Sequence, residues 1–398
     1  MGINSPESHL RHLASATLLL FSVLASGFSW AATAVTVEGQ SFACEVASID
    51  ATPTATLRVE GAAKQTACSD LQAIEFRQGE PTVDVQQSAT ILRDGGCLRG
   101  TILGGGGSSV KVASPLFGEV ECPLQAVARI ELPGVQPGAA LQPGEKLDRL
   151  LLRNGETIEG SVESIGPKGI RFRSEPLGQI DIGFERLTAV AFAGQGPAPK
   201  TPPDGVVAVA YADNGTVVAG RIASLAAGKL ALKALFGPEM ALDAAKLLRI
   251  EFRGGRLVYL SDLEPAEAKE TPFFDLVWHY RRDQSVDGNP LRLGGRTYRK
   301  GLGVHSRCEL TYELKGGFRR FLADFGIDGE VGEKGDVDVA VLVDGVPRFE
   351  RKSVTGRDGP VPVALDLAGA ARLTLRVDFG RDLDICDHAD WANARLIR

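Results

Sequence analysis

Histidine, methionine and charge of a single sign are all scarce in this chain. Its 398 residues include five His and two Met. Two of the His (His9, His12) lie near the N-terminus, so histidine-dependent chemistry has little to draw on. No basic excess is present: 44 Lys+Arg stand against 50 Asp+Glu, a formal net charge of −6. That mild acidity, with no basic stripe, argues against a nucleic-acid partner. The zinc motif HExxH, the GxSxG elbow and the Walker loop are all missing. Gly104–Gly107 lacks the Lys and helix that a phosphate cradle requires. No residue pattern points to catalysis, and the chain reads as a non-enzyme. Past the N-terminal segment no run of 18 apolar residues occurs, so no second membrane span is expected.

What is present reads as globular and β-rich. Hydrophobic residues make up 44% and charged residues 24%, which excludes a mostly disordered chain. The length fits two to four domains. The 47 Gly and 21 Pro follow no collagen period, which favours short strands and many turns over long helices.

Residues 1–34 have the form of an export signal. Arg11 precedes an apolar run from Leu13 to Phe28, and Ala32 and Ala34 fit the small-x-small cleavage rule, with a mature start at Val35. The competing reading is an uncleaved anchor, since Leu13 to Val37 carries no charge. Export sets the expected location as secreted, periplasmic or cell-surface. The six cysteines agree with it: they are even in number, with none in the leader and none in a CxxC pair. Grouped by domain they suggest Cys44–Cys68, Cys97–Cys122 and Cys308–Cys386, one choice among 15 connectivities.

A unit repeats four times. Asx-Gly followed by a second Gly five residues on recurs at Gly95/Gly100, Gly155/Gly160 and Gly215/Gly220, a period of 60. An apolar residue closes each copy thirty residues after the second Gly: Ile130, Val190 and Ile250. A degenerate first copy runs from Gly39 through Cys44 to Ile74. Register kept through four copies marks a true repeat. Period-two alternation, as in Ile170/Phe172 and Ile180/Ile182, predicts half-buried strands, and Asx-Gly predicts type I′ hairpin turns. The expected copies are 35–80, 83–132, 147–193 and 205–256. Each resembles an SH3-like or Sm-like barrel; a four-bladed propeller is the rival. The Pro-rich joints 132–145 and 194–203 read as linkers between beads. An acidic stretch, Leu263–Glu270, marks a further linker over 257–271.

Aromatic and imidazole groups concentrate in residues 272–398, which include Trp278, Trp391, His279, His305 and His388. Arg299-Lys300-Gly301-Leu302-Gly303-Val304-His305-Ser306, Phe325-Gly326-Ile327-Asp328, Val343-Asp344-Gly345 and Asp387-His388-Ala389-Asp390-Trp391-Ala392 occur in that order. The region resembles the NPCBM/NEW2 domain. The resemblance implies a galactose-binding-like β-sandwich, a jelly roll described as a carbohydrate-binding module, so the fold class is all-β: tandem small barrels followed by a sandwich. It implies a carbohydrate partner. Envelope proteins are the other partner class open to an exported chain.

A sugar site wants a flat aromatic and a few fixed polar groups. Trp391, Asp387, His388 and Asp390, joined by His305 and Ser306, supply them. A Cys308–Cys386 bridge would bring the two ends together. Trp391 is equally readable as a core residue capping the sandwich, Asp387 and Asp390 as turn caps, and His305 as structural. Trp278 alternates with Leu276 and Tyr280 and reads as core. No cofactor is indicated. The sole metal candidate is a structural calcium on Asp328, Glu330 and Asp336, from an acidic run that also holds Glu333 and Asp338. A surface scaffold without a sugar site, and a hydrolase using a carboxylate pair, remain the alternatives.

Overall fold

The computed structural model of the chain describes residues 30–134, 141–142, 144–194 and 205–398. Among these residues there is no α-helix, only strands, turns and single 3-10 turns. Most of the leader, 1–29, lies outside the described residues, as do 135–140 and 143 of the first Pro-rich joint and 195–203 of the second.

Four five-stranded units come first. The first holds β1 (Trp30–Thr36), β2 (Ser41–Ile49), β3 (Thr54–Val59), β4 (Ala62–Ala67) and β5 (Leu71–Glu75). The second holds β6 (Ser88–Leu92), β7 (Cys97–Gly104), β8 (Ser109–Ser114), β9 (Gly118–Pro123) and β10 (Val127–Glu131). The third holds β11 (Asp148–Leu152), β12 (Thr157–Ile165), β13 (Gly169–Ser174), β14 (Gly178–Gly183) and β15 (Leu187–Ala191). The fourth holds β16 (Val207–Ala212), β17 (Val217–Ala226), β18 (Lys229–Ala234), β19 (Glu239–Asp243) and β20 (Leu247–Arg253). First and last strands pair in every unit, so each sheet runs fifth, first, second, third, fourth and is not the plain meander of a propeller blade; the units are called barrels below after the resemblance seen in the sequence.

The repeat glycines have separable jobs. Gly95, Gly155 and Gly215 take φ of 86°, 88° and 82°. The Asx residue before each keeps negative φ, and its side chain accepts from the backbone N–H two residues on. The turn is therefore a three-residue loop ending in a left-handed Gly, not the expected type I′ pair, because the Asx carboxyl or amide already satisfies the backbone. Gly100, Gly160 and Gly220 serve close packing. A Cβ there would lie 2.3, 2.1 and 2.5 Å from the carbonyl oxygens of Ala113, Arg173 and Lys233.

The closing residues join the units to each other. Ile74 pairs with Ile250, and Ile130 with Val190, in antiparallel ladders between last strands. Units one and four thus form one couple, and units two and three another, with a single apolar core running through all four. The expectation of separate beads is corrected: pairing of last strands hides an edge that each small barrel would otherwise expose. The boundary at Val35 also moves. Ala31 to Ala34 pair with β2, and Ala34 is buried against Ile74, so the first strand starts at Trp30.

Two sheets form the C-terminal sandwich. One has the order β23 (Arg281–Arg282), β26 (Gly301–His305), β33 (His388–Ile397), β28 (Arg320–Ile327), β31 (Val361–Asp366). The other has β22 (Glu267–Glu270), β27 (Cys308–Glu313), β32 (Arg372–Phe379), β29 (Asp336–Val343), β30 (Val346–Thr355). A small hairpin, β24 (Leu291–Leu293) and β25 (Arg296–Tyr298), lies outside both. The predicted linker 257–271 is part of this domain: β21 (Leu257–Tyr259) pairs with β33, and β22 pairs with β27. Its acidic residues misled because β22 is an exposed edge strand, where charge is normal.

Barrels and sandwich are docked. Val37, Leu257, Tyr259, Leu322 and Ile397 form an apolar cluster between them. Around it Gln72 donates to Tyr259 Oη (3.0 Å) and to Asn393 (2.8 Å), Arg395 donates to the Val37 carbonyl (3.0 Å), and Arg320 pairs with Glu38.

All six cysteines are free thiols, so the three expected disulfides are not formed. Cys44, Cys68 and Cys122 instead fill the barrel core as small apolar side chains. Burial pushes the Cys68 and Cys122 thiols up to about 12, which keeps them neutral.

Candidate functional site

The two ends of the sandwich meet without a covalent tie. β26 and β33 are antiparallel neighbours, with His305 opposite His388, Gly303 opposite Asp390 and Leu302 opposite Trp391. Strand alternation then sorts the residues. Leu302, Val304, Ala389 and Trp391 face the sandwich core. His305, His388 and Asp390 point to the opposite side of the sheet, where the segments 271–293 cover them and leave the two imidazoles 6% and 9% exposed.

Trp391 is therefore not a sugar platform. It is 1% exposed, with ring centroids 4.5 Å from Phe325 and 6.4 Å from Phe321. Trp278 takes the surface position instead. It is half-buried, lies in an irregular segment and is not a core strand residue; its former alternation partner Leu276 is 64% exposed. The indole stacks on His305 (5.4 Å, 16°) and lies 5.3 Å from His388, while the two imidazoles are 5.4 Å apart.

Carboxylates orient this aromatic group. His388 Nδ1 lies 3.0 Å from Glu330 Oε1 and 3.4 Å from the exposed Asp287 Oδ2. The other oxygen of Glu330 accepts from Ser285 Oγ (2.8 Å) and Asn289 Nδ2 (2.9 Å). Burial pushes Glu330 up, but the hydrogen bonds from Asn289, His388 and Ser285 outweigh it and hold the carboxyl below its usual range. His305 Nδ1 lies 3.0 Å from the Ser306 carbonyl, which can only accept, so Nδ1 carries the proton and Nε2 is left as an acceptor. Burial lowers the His305 pKa and keeps the ring neutral.

The remaining expected site residues support rather than face a ligand. Ser306 Oγ donates to Asp387 (2.5 Å), whose second oxygen accepts from the Asp336 N–H (3.2 Å). Asp387 is fully buried, and burial raises its pKa to about 6. Asp390 is equally buried, accepts from the Arg292 N–H (3.2 Å) and adjoins Asp328; burial and that second carboxyl push it well above the usual carboxylate range. Asp328 accepts from the Arg292 and Glu330 N–H groups, capping the 3-10 turn that places Glu330.

Asp328, Glu330 and Asp336 do not converge on one ion. Asp328 is spent on backbone donors, and Asp336 sits with Asp387 and Ser353. The calcium set is thus dispersed. Asp287, Glu330 and His388 do gather, with ligand atoms within 4.8 Å of one another, and they are the residues here able to hold a metal ion. Their contacts also satisfy a plain hydrogen-bonded triad.

Sequence reasoning missed Trp278, Asp287, Ser285 and Asn289. A signal existed for Trp278: Asp275 before it and His279 after it make a poor core strand.

The C-terminal fold is a two-sheet β-sandwich with a polar and aromatic cluster on one sheet. Residues 256–397, the sandwich, match the family model of the NPCBM/NEW2 domain, and the barrels lie outside the match. A protein of Renibacterium salmoninarum named "Putative endo-alpha-N-acetylgalactosaminidase" is 33% identical over 111 residues. That stretch is 28% of this chain and 7% of that protein, so the chain spans a small part of the curated relative it matches. Among solved structures, CBM51 from Clostridium perfringens GH95 in complex with methyl-galactose is 29% identical, with 35% of this chain and 99% of that chain covered and a TM-score of 0.33. The CBM51-2 and INT domains of Clostridium perfringens ZmpB are 25% identical, with 43% and 36% covered and a TM-score of 0.33.

Proposed function

We propose that the chain binds carbohydrate, without catalysis, at the face formed by Trp278, His305 and His388, with the barrels as the scaffold that displays it. The observation that carries this reading is the partly exposed indole stacked on His305 and set against His388, whose ring is held by Glu330 and Asp287 with Asn289 bonded to Glu330. An apolar ring face beside oriented polar groups matches the two-sided character of a sugar. The NPCBM/NEW2 match supports the same reading. A hydrolase would draw its carboxylate pair from Asp328, Asp387 and Asp390, and all three are buried, which favours binding over cleavage. The apolar segment 13–28 supports export, and cleavage upstream of Trp30 would leave β1 whole. Among the described residues no helix is long and apolar enough to cross a membrane.

A shallow site for a small polar ligand gives single-site affinity on the order of 10 μM to 1 mM. The test is a glycan array probed with the full chain and with Trp278→Ala. The parent should bind a restricted set of sugars and the variant should lose at least tenfold in affinity with its melting temperature unchanged. An array on which the parent binds nothing, or a folded variant that binds as the parent does, would sink the assignment. Release of reducing sugar from a bound glycan would convert the reading to a hydrolase.

A further inference from the structure

Beside this face stands an apolar ridge that the sugar reading does not use. Phe273, Phe274, Leu276 and Val277 are 40–66% exposed, as are Leu383 (42%) and Ile385 (60%). These two short loops hold half of the twelve exposed large apolar residues found among the described residues.

Both loops are tied down around the same point. The arch 271–278 begins at Thr271, which exchanges backbone hydrogen bonds with Arg307 (2.9 and 3.3 Å), and ends at Trp278 on His305. The loop 380–386 begins at Phe379, which touches Phe273 (5.4 Å), and ends at Asp387 on Ser306. Ser306 and Arg307 thus lie under both, next to His305. Exposed apolar side chains on loops with anchored ends suggest a surface kept for contact.

The size and charge of the ridge select its occupant. Its six side chains offer on the order of 500 Å², short of the roughly 800 Å² that each partner gives a stable protein interface. Asp275, Asp382 and Asp384 are interspersed along it and outnumber its one exposed cation, Arg381, since Arg307 beneath is paired with Asp378, so an anionic surface is disfavoured. A narrow apolar strip continuous with a sugar-sized face fits one molecule that is polar at one end and apolar at the other.

We propose that the ligand is an uncharged amphiphilic glycoconjugate, with its sugar on Trp278, His305 and His388 and its alkyl aglycone along Phe274, Leu276 and Ile385. This rests on the sugar reading and adds the class of conjugate. Calorimetric titration of the full chain with matched methyl and octyl β-glycosides of galactose, glucose and N-acetylglucosamine, below micellar concentration, tests it. The octyl glycoside of the sugar that binds should be at least tenfold tighter than its methyl partner, since burying even two methylenes suffices. The double variant Phe274→Ser, Leu276→Ser should lose that gain and keep the methyl affinity. Equal affinity for methyl and octyl forms, or a gain that survives in the variant, overturns the proposal and leaves the sugar site standing. No binding of any of the six probes, while a glycan array is positive for a charged sugar, also overturns it. A wholly negative array removes the sugar reading itself. Equal binding to phosphatidylcholine vesicles with and without an octyl glycoside reassigns the ridge to bare lipid.

Discussion

At the scale of single residues, two tryptophans divide binding from stability. Trp391 fills the sandwich core against Phe321 and Phe325, so Trp391→Ala should cost about 3–5 kcal/mol by denaturant titration. A loss under about 1 kcal/mol would contradict that placement. Asp387 gives a pH signature. Its folded pKa, raised by burial to about 6, lies above the ordinary carboxylate value of about 4, so the unfolded chain releases this proton first. The contribution of this group is therefore most favourable below about pH 4 and declines as the pH rises through about 6. Asp387→Asn keeps an acceptor for Ser306 or Asp336 and cannot ionise. Its melting temperature relative to the parent should rise between about pH 4.5 and pH 7.5. A pH-independent difference would show that Asp387 titrates normally.

At the scale of elements, the sandwich depends on strands that precede its signature motifs. β21 adds to β33, the strand that carries His388, and β22 covers the edge of β27. A fragment starting at residue 256 should fold, while one starting at 272 should melt at least 10 °C lower or fail to fold, because two edge strands and Leu260 are lost from the domain. Equal melting of the two fragments by circular dichroism would show these strands to be ornaments. The same element logic explains the repeat. The residue that closes each copy is the one that pairs two copies, which is why it stays apolar.

For the whole molecule, the interface between barrels and sandwich sets cooperativity. Arg395 is buried and reaches across to the Val37 carbonyl, beside the apolar cluster of Val37, Leu257, Tyr259, Leu322 and Ile397. Scanning calorimetry of the parent should show one unfolding transition, and Arg395→Ala should split it in two as barrels and sandwich uncouple. Two separate transitions in the parent would mean that the contact carries no coupling.

The local patterns in the chain settled the strand-and-turn composition and the fourfold spacing with its closing residues, whereas the pairing of the His305 and His388 ends came from the structure, without the expected bridge. Period-two alternation and glycine spacing are short-range properties, and they are written in consecutive residues. Parity even carried the answer for Trp391, since on one strand it must face opposite to His388 and with Ala389. What only the tertiary structure decided is which indole meets solvent, which carboxylates are spent on backbone donors, and which barrel couples to which. Those depend on the irregular segments 271–293 and 380–387 and on contacts between residues hundreds of positions apart. No alternation rule reaches across such distances, because burial there is set by whatever else packs against the strand.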